Sequence, residues 1–260
     1  MGPHGNRRAP LRFPVTYGEA ELRPDGARPY GWTLLVNGVP QSYVDLADPE
    51  HLEFPYMRRL GRVLRWWTPG RVRPKVLHLG GGGLTLPRLL HHTRPGIAQR
   101  VVERDPALLA LVSRWLPFPP AIEVEIGDAR AALEGAPSRA YDLIIADVFD
   151  GAAMPASVGS AGFATAAARA LRADGLLAMN LTDVPPLAHS RVQVATVATA
   201  FADLALLGDA GVLRGRRAGN VVLLAGDLPV IGPERAGRVL RGDVLAAFAG
   251  GAKPRLDAPA

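Results

Sequence analysis

Acidic side chains follow the ends of several short apolar runs, and they are the residues that could do chemistry. The segment 141–150, Tyr-Asp-Leu-Ile-Ile-Ala-Asp-Val-Phe-Asp, ends a buried run with Asp147 and Asp150. Two carboxylates there can bind a cationic amine, or take its proton so that the nitrogen lone pair attacks a substrate. The alternative interpretation is a plain loop in which Asp150 caps a turn before Gly151.

A glycine cluster and another acid follow the first two apolar runs of this series. Gly80, Gly81 and Gly82 come directly after the first run, where glycine permits close backbone approach and a helix N-terminus offers free N–H groups. Glycine at such a turn can also be purely steric. Glu103 ends the next run, about twenty residues on, where an acid commonly bonds ribose hydroxyls. A surface ion pair with Arg104 is the alternative.

A further acid, Asp128, follows the third apolar run and precedes Ala129. Its carboxylate could accept a hydrogen bond from an adenine amino group, cap the next helix, or do both. No phosphate-loop lysine follows the glycines, and their spacing does not match Gly-x-Gly-x-x-Gly, which disfavours a nucleoside triphosphate and a nicotinamide cofactor. The residues therefore predict a site for an adenosyl nucleoside.

The elements that must position these side chains are alternating strands and helices. Short apolar strands separated by helices predict a parallel sheet covered on both faces, and in such sheets ligands bind at the carboxyl ends of the strands. Asn37-Gly38 predicts an earlier hairpin, followed by a helix from Asp48 to Trp67. We expect flexible tails at 1–14 and 250–260, a small β-hairpin unit with its helix at 15–70, and a catalytic domain at 71–249.

Composition narrows the class of protein. The chain has 260 residues, no cysteine and a formal charge of +6, which excludes disulfides and thiolate chemistry. The lack of cysteine fits a cytoplasmic location. No apolar run is long enough to span a membrane. Residues 1–14 lack the apolar segment of a secretory signal. No histidine has a matching set of metal ligands. Arginines are dense over residues 58–75; without a nucleic-acid-binding motif, we interpret this run as a solvated helix face.

Together these motifs resemble the spermidine synthase (aminopropyltransferase) family over residues 32–227. The resemblance rests on their order and spacing, and the segments that carry it are Asn37-Gly38-Val39-Pro40-Gln41, Glu53-Phe54-Pro55-Tyr56, the glycine loop, Val102-Glu103-Arg104-Asp105-Pro106, Gly127-Asp128-Ala129-Arg130 and 141–150 with Pro155. It implies the class I methyltransferase fold, a Rossmann-like α/β fold with a mostly parallel seven-stranded sheet.

The resemblance also implies a reaction and a set of roles. The donor would be decarboxylated S-adenosylmethionine and the acceptor a small, putrescine-like amine. Gln41, Gly80, Gly81, Gly82, Glu103, Asp128 and Ala129 would hold the nucleoside. Asp147 would be the base or amine-orienting acid, with Asp150 and Tyr56 in the amine pocket. A homodimer is implied too, with the N-terminal hairpin as one candidate surface.

Departures from the family pattern leave two alternatives open. Gly83 stands where the family has an aspartate that grips an amino group, and no tyrosine follows Tyr141. The amine pocket is therefore degenerate, and a methyltransferase that uses intact S-adenosylmethionine is the first alternative. The second is a non-catalytic nucleoside-binding or interaction module that uses the basic run. Neither metal nor membrane is expected as a partner.

Overall fold

The N-terminal part of the chain is a four-stranded antiparallel sheet. A computed structural model describes residues 9–70, 72–151, 153–232 and 237–257. Strands β1 (Leu11–Val15), β2 (Gly18–Pro24), β3 (Gly31–Val36) and β4 (Val39–Asp45) pair in chain order. The predicted β3–β4 hairpin is present, with positive φ at Asn37 and Gly38, as a tight hairpin turn requires. The expected tail at 1–14 is wrong from Leu11 onward, because β1 completes this sheet; residues 1–8 lie outside the described residues.

The first helix, α1 (Pro55–Trp66), is shorter than the 48–67 expected. Proline is favoured in the first turn of a helix and pushes the residue before it out of the helical region. Phe54 accordingly has extended angles, φ −81° and ψ 140°. The motif 53–56 therefore straddles the start of the helix.

The rest of the chain alternates strands and helices, as expected. The elements are β5 (Lys75–Leu79), α2 (Thr85–Thr93), β6 (Ala98–Glu103), α3 (Pro106–Trp115), β7 (Ile122–Ile126), α4 (Ala129–Glu134), β8 (Tyr141–Ala146), α5 (Ala161–Ala170), β9 (Leu171–Asp183), α6 (Ala188–Val197), β10 (Leu204–Asp209), α7 (Ala210–Leu213), β11 (Gly219–Gly226), β12 (Gly237–Arg241) and α8 (Gly242–Ala249). Among the described residues, no helix has both the length and the hydrophobicity needed to cross a bilayer.

These strands form one sheet in the order β12-β10-β11-β9-β8-β5-β6-β7. The five strands from β9 to β7 are parallel, and β11, β10 and β12 pair antiparallel beyond them. The sheet thus has an eighth strand, β12, where seven strands were expected. The chain moves outward from β5 through β6 to β7 and then returns to β8 on the other side. That reversal opens a crevice at the carboxyl ends of the parallel strands.

Three apolar clusters position the parts around this crevice. One covers the sheet face under α5, α6 and α8, and a second lies under α1 and α2. The third joins the N-terminal sheet to α3, through side chains such as Leu22, Leu34 and Val112 that are fully excluded from solvent. Asp105 strengthens that junction, because its carboxylate accepts hydrogen bonds from the backbone N–H groups of Thr16 and Tyr17. The β1–β2 turn is therefore held beside the carboxyl end of β6.

The C-terminal segment is attached to the domain rather than loose. Asp257 accepts hydrogen bonds from the Ser160 hydroxyl (2.7 Å), the Arg130 guanidinium (3.1 Å) and the Gly162 backbone N–H (2.8 Å). The flexible tail expected from residue 250 is therefore wrong for the segment up to Asp257. Residues 258–260 lie outside the described residues.

Candidate active site

A cavity of about 490 Å³ lies at the carboxyl ends of the five parallel strands. Each strand contributes residues where it ends, and the N-terminal sheet closes one side. All ten site residues expected from the sequence line this cavity: Gln41, Tyr56, Gly80, Gly81, Gly82, Glu103, Asp128, Ala129, Asp147 and Asp150. The tertiary structure thus groups them around one cavity.

The glycine loop is built around Glu103. The backbone N–H groups of Gly81 and Gly82 donate to Glu103 Oε2 at 2.9 and 3.1 Å, and Asp105 N–H donates to Oε1 at 2.9 Å. Glu103 is only 8% exposed. Its carboxylate therefore pairs with backbone donors and does not form the ion pair with Arg104 that was the alternative.

Gly80 is required by its surroundings. Its φ is +90°, and a Cβ added there would lie 2.2 Å from the backbone oxygen of Asp147. A side chain at this position would push the ends of β5 and β8 apart. The glycine thus has a steric purpose that the sequence alone could not separate from ligand binding.

Residues at the other edge of the cavity are held less tightly. Asp128 is exposed and caps α4, since its Oδ1 accepts from the Ala131 backbone N–H at 2.9 Å. The second oxygen of the same carboxylate can still accept from a ligand. Gln41 donates from Nε2 to the Gly151 carbonyl at 3.3 Å, a long bond that connects β4 with the loop after β8.

Asp147 is the carboxylate with the most perturbed environment. Burial raises the pKa of Asp147 to about 6, although a hydrogen bond from Asn180 Nδ2 to its Oδ1 (2.8 Å) acts in the opposite direction. Among the described residues, its second oxygen accepts no hydrogen bond. Burial, and the nearby charge of Asp147, raise the pKa of the Tyr56 phenol well above its ordinary value. The Tyr56 ring stacks on Phe54 with 6.1 Å between centroids.

A chain of amides behind Asp147 was missed by the sequence analysis. Asn220 Nδ2 donates to Asn180 Oδ1 at 3.1 Å and to Thr182 Oγ1 at 2.9 Å. Because Asn180 accepts through its oxygen, its nitrogen must face Asp147. Asn180 is 1% exposed, and both of these partners are protein side chains. The available signal was an asparagine next to the apolar part of each of two strands, Asn180 in β9 and Asn220 in β11.

Asp150 has a partner at the mouth of the cavity. Its Oδ1 accepts from the Arg104 guanidinium at 2.8 Å, and the other contact of Arg104 is the Tyr17 ring, 4.4 Å from the guanidinium carbon. Arg104 follows Glu103 at the end of β6. This three-residue contact ties the β1–β2 turn to the loop after β8.

Gly83 lies outside the lining of the cavity. Its N–H donates to Ser42 Oγ at 2.9 Å, and a Cβ built on it would lie 2.9 Å from Val44 Cγ2 and 3.0 Å from Ser42 Cβ. Strand β4 thus fills the space where the resembled family has a carboxylate. Leu84 follows in the left-handed region, with φ 60°.

The basic run has mixed surroundings. Arg58 donates to the Leu52 and Glu53 carbonyls, and Arg59 is 7% exposed, so part of the run stabilises the fold. Arg65 and Arg73 are exposed, whereas Arg71 lies outside the described residues. No group of three or more metal-ligating side chains occurs within the described ranges.

The sheet order and the position of the cavity define a class of protein. It is a Rossmann-like α/β protein with the class I methyltransferase fold, preceded by an antiparallel β sheet. The expected fold class is therefore confirmed, apart from the number of strands and the size of the N-terminal unit.

Comparison with known proteins points to one group within that class. No family model matches the chain. A stretch of 140 residues is 30% identical to a polyamine aminopropyltransferase of Vibrio vulnificus and covers 51% of this chain but 46% of that protein. The chain thus matches about half the length of its curated relative. A crystal structure of a probable spermidine synthase from Corynebacterium glutamicum superposes with a TM-score of 0.90 at 28% identity, over 97% of this chain and 98% of that one.

A more distant structure has the same architecture. A spermidine synthase crystallised with the transition-state analogue AdoDATO gives a TM-score of 0.64 at 20% identity, over 84% of this chain and 73% of that one. The expected resemblance to spermidine synthases is confirmed by the matches to the Vibrio protein and the Corynebacterium structure.

Proposed function

We propose that this protein is an aminopropyltransferase, which moves an aminopropyl group from decarboxylated S-adenosylmethionine to a small amine. The observation that carries the proposal is the carboxylate of Asp147, which has a raised pKa of about 6 and an unused oxygen and opens into the same cavity as the glycine loop. The names of the curated relative and of the Corynebacterium structure support the same reaction.

The nucleoside end of the cavity would be formed by the glycine loop and its neighbours. Glu103 still has acceptor capacity for ribose hydroxyls beyond the backbone bonds it makes, since a carboxylate offers about four acceptor sites. Asp128 and Ala129, at the start of α4, and Gln41, on β4, would contact the rest of the adenosine. This set suits any S-adenosylmethionine-related ligand.

Asp147 would act on the acceptor nitrogen. An ammonium group that enters the cavity can pair with the Asp147 carboxylate, lose its proton to that carboxylate or to water, and present its lone pair. The nitrogen then attacks the methylene carbon next to the sulfonium, the carbon–sulfur bond breaks, and methylthioadenosine leaves with the electron pair. The protein would contribute mainly by alignment, because fixed geometry removes much of the entropic barrier.

The surroundings of Asp147 suit that role. The amide of Asn180 aims its N–H at one oxygen and leaves the other for the amine. Tyr56 would form a wall of the amine pocket, and burial, together with the charge of Asp147, raises the pKa of its phenol. Asp150 borders the cavity mouth, where Arg104 neutralises it. Homodimer formation and a cytoplasmic location stay predictions.

The first test is product formation. Incubation with decarboxylated S-adenosylmethionine and putrescine should release methylthioadenosine, and Asp147→Asn should lower the rate by about 10²- to 10⁴-fold, as is typical for a lost acid–base group. Arg114→Ala is a matched control, because Arg114 stacks on Trp115 away from the cavity. If no common diamine or polyamine gives methylthioadenosine, the proposal is wrong.

One observation favours a methyltransferase as the second candidate. The packing of Gly83 against Ser42 and Val44 leaves no space for the carboxylate that the resembled family directs at an amino group. Calorimetry with both donors separates the candidates: tighter binding of decarboxylated S-adenosylmethionine supports aminopropyl transfer, and strong preference for the intact form supports methyl transfer.

A further inference from the structure

The C-terminal segment crosses the beginning of α5. The Arg255 carbonyl accepts a hydrogen bond from the Ala161 backbone N–H at 2.8 Å. Two residues later, the Asp257 carboxylate accepts from the Ser160 hydroxyl and from the Gly162 backbone N–H, and a negative charge at a helix N-terminus is favourable. The segment is therefore fastened both through its backbone and through the Asp257 side chain.

Arg130 connects this carboxylate to α4. Its Nη1 donates to Asp257 Oδ1 at 3.1 Å and to Ser160 Oγ at 2.8 Å, and it also donates to the Ser157 carbonyl at 3.1 Å. An isolated surface ion pair is weak, but this guanidinium is only 18% exposed and shares Ser160 with the carboxylate. A Cβ on Gly162 would collide with both charged side chains, so they can meet only over a glycine.

The two segments that Arg130 joins both contribute to the cavity lining. Helix α4 begins at Ala129 and is capped by Asp128, and these are two of the residues proposed to contact the adenosine. Ser157 lies in the loop between β8 and α5 and also lines the cavity. Arg130 therefore holds the beginning of α4 against this loop, and Asp257 in turn holds Arg130.

We propose that Asp257 is a positioning residue for the nucleoside, acting through Arg130 from outside the cavity. By holding Arg130 and the beginning of α5, its carboxylate fixes the separation of the two cavity walls before a ligand arrives. The inference rests on the nucleoside site of the proposed function and extends that site to the C-terminal segment. Without Asp257 the ligand itself has to order the two walls, and ordering of this kind weakens binding.

Binding of methylthioadenosine, measured by calorimetry on the full chain, tests this inference. Asp257→Ala should weaken binding by about three- to tenfold, as expected when a ligand must immobilise one side chain that was previously held. Arg130→Gln should weaken it by at least the same factor, because the contact with Ser157 is lost too. In the double variant the two factors should not multiply, because both changes break the same contact.

A matched control separates positioning from a loss of stability. Asp25 also accepts two hydrogen bonds, from the Tyr43 hydroxyl and the Ala27 backbone N–H, both at 2.7 Å, and neither partner is among the described residues that line the cavity. Asp25→Ala should therefore lower the melting temperature and leave the affinity for methylthioadenosine unchanged. In turnover, Asp257→Ala should raise KM for the donor and leave kcat unchanged, the signature of lost binding alone.

Each outcome has a defined meaning. Equal affinities of Asp257→Ala and the unaltered protein, factors that multiply in the double variant, or an equal loss of affinity in Asp25→Ala overturn the inference. If the unaltered protein binds S-adenosylhomocysteine but not methylthioadenosine, the proposed aminopropyl transfer fails, and the same variants with S-adenosylhomocysteine decide the role of Asp257. Binding of neither compound overturns both the proposed function and the inference.

Discussion

Replacing Asp147 with asparagine should stabilise the protein at neutral pH while removing the carboxylate proposed for catalysis. The folded state raises the pKa of Asp147 from 3.8 to about 6, mainly by burial. Between these values the folded protein binds more protons than the unfolded chain, so stability falls as pH rises through the window. At about 1.4 kcal/mol per pKa unit, the ionised carboxylate costs at most about 3 kcal/mol at pH 7. Asparagine avoids this cost and retains an oxygen to accept the Asn180 hydrogen bond.

Thermal unfolding between pH 4 and pH 8 measures this effect. At pH 7, Asp147→Asn should melt roughly 5 to 10 °C above the unaltered protein, and the difference should disappear near pH 4. Asp128→Asn is the matched control, because aspartate and asparagine are equally good helix caps, and its melting temperature should change little. Equal melting temperatures at pH 7, or a difference that does not vary with pH, would refute the reasoning.

Three other changes have defined outcomes. Asn180→Ala removes the hydrogen bond that lowers the pKa of Asp147, so the acidic limb of the pH profile of kcat/KM should move to higher pH. Asn220→Ala should move this limb less. An unmoved limb would contradict the positioning role of Asn180. Gly80→Ala introduces a Cβ 2.2 Å from the backbone oxygen of Asp147 at a residue with positive φ. Urea unfolding should therefore show that the free energy of unfolding falls by about 2 to 5 kcal/mol. A decrease below about 1 kcal/mol would argue against this close approach. Asp257→Ala removes contacts to the start of α5 and should lower the free energy of unfolding by about 1 kcal/mol, with no change expected if the segment were loose.

Local sequence signals predicted most of the fold. The alternation of apolar strands with helices and the Asn37-Gly38 hairpin depend on neighbouring residues, and both were found where expected. The incorrect predictions concern the two ends of the chain and the edge of the large sheet. Strand β1 forms because β2 offers it backbone partners, and β12 exists because β10 accepts it at the edge of the sheet. The attachment of Asp257 likewise depends on Arg130 and Ser160, more than ninety residues away along the chain.

By itself, the sequence determined that glycines and acids stand at the carboxyl ends of parallel strands, because that placement follows from strand boundaries alone. Only the tertiary structure decided what each acid does. Glu103 holds the glycine loop, and Asp150 is paired with Arg104. Asp147 faces the cavity, and its pKa is raised. A hydrogen bond or a burial cost depends on atoms brought together from distant segments, such as Asn180 behind Asp147, and residue spacing does not encode those distances.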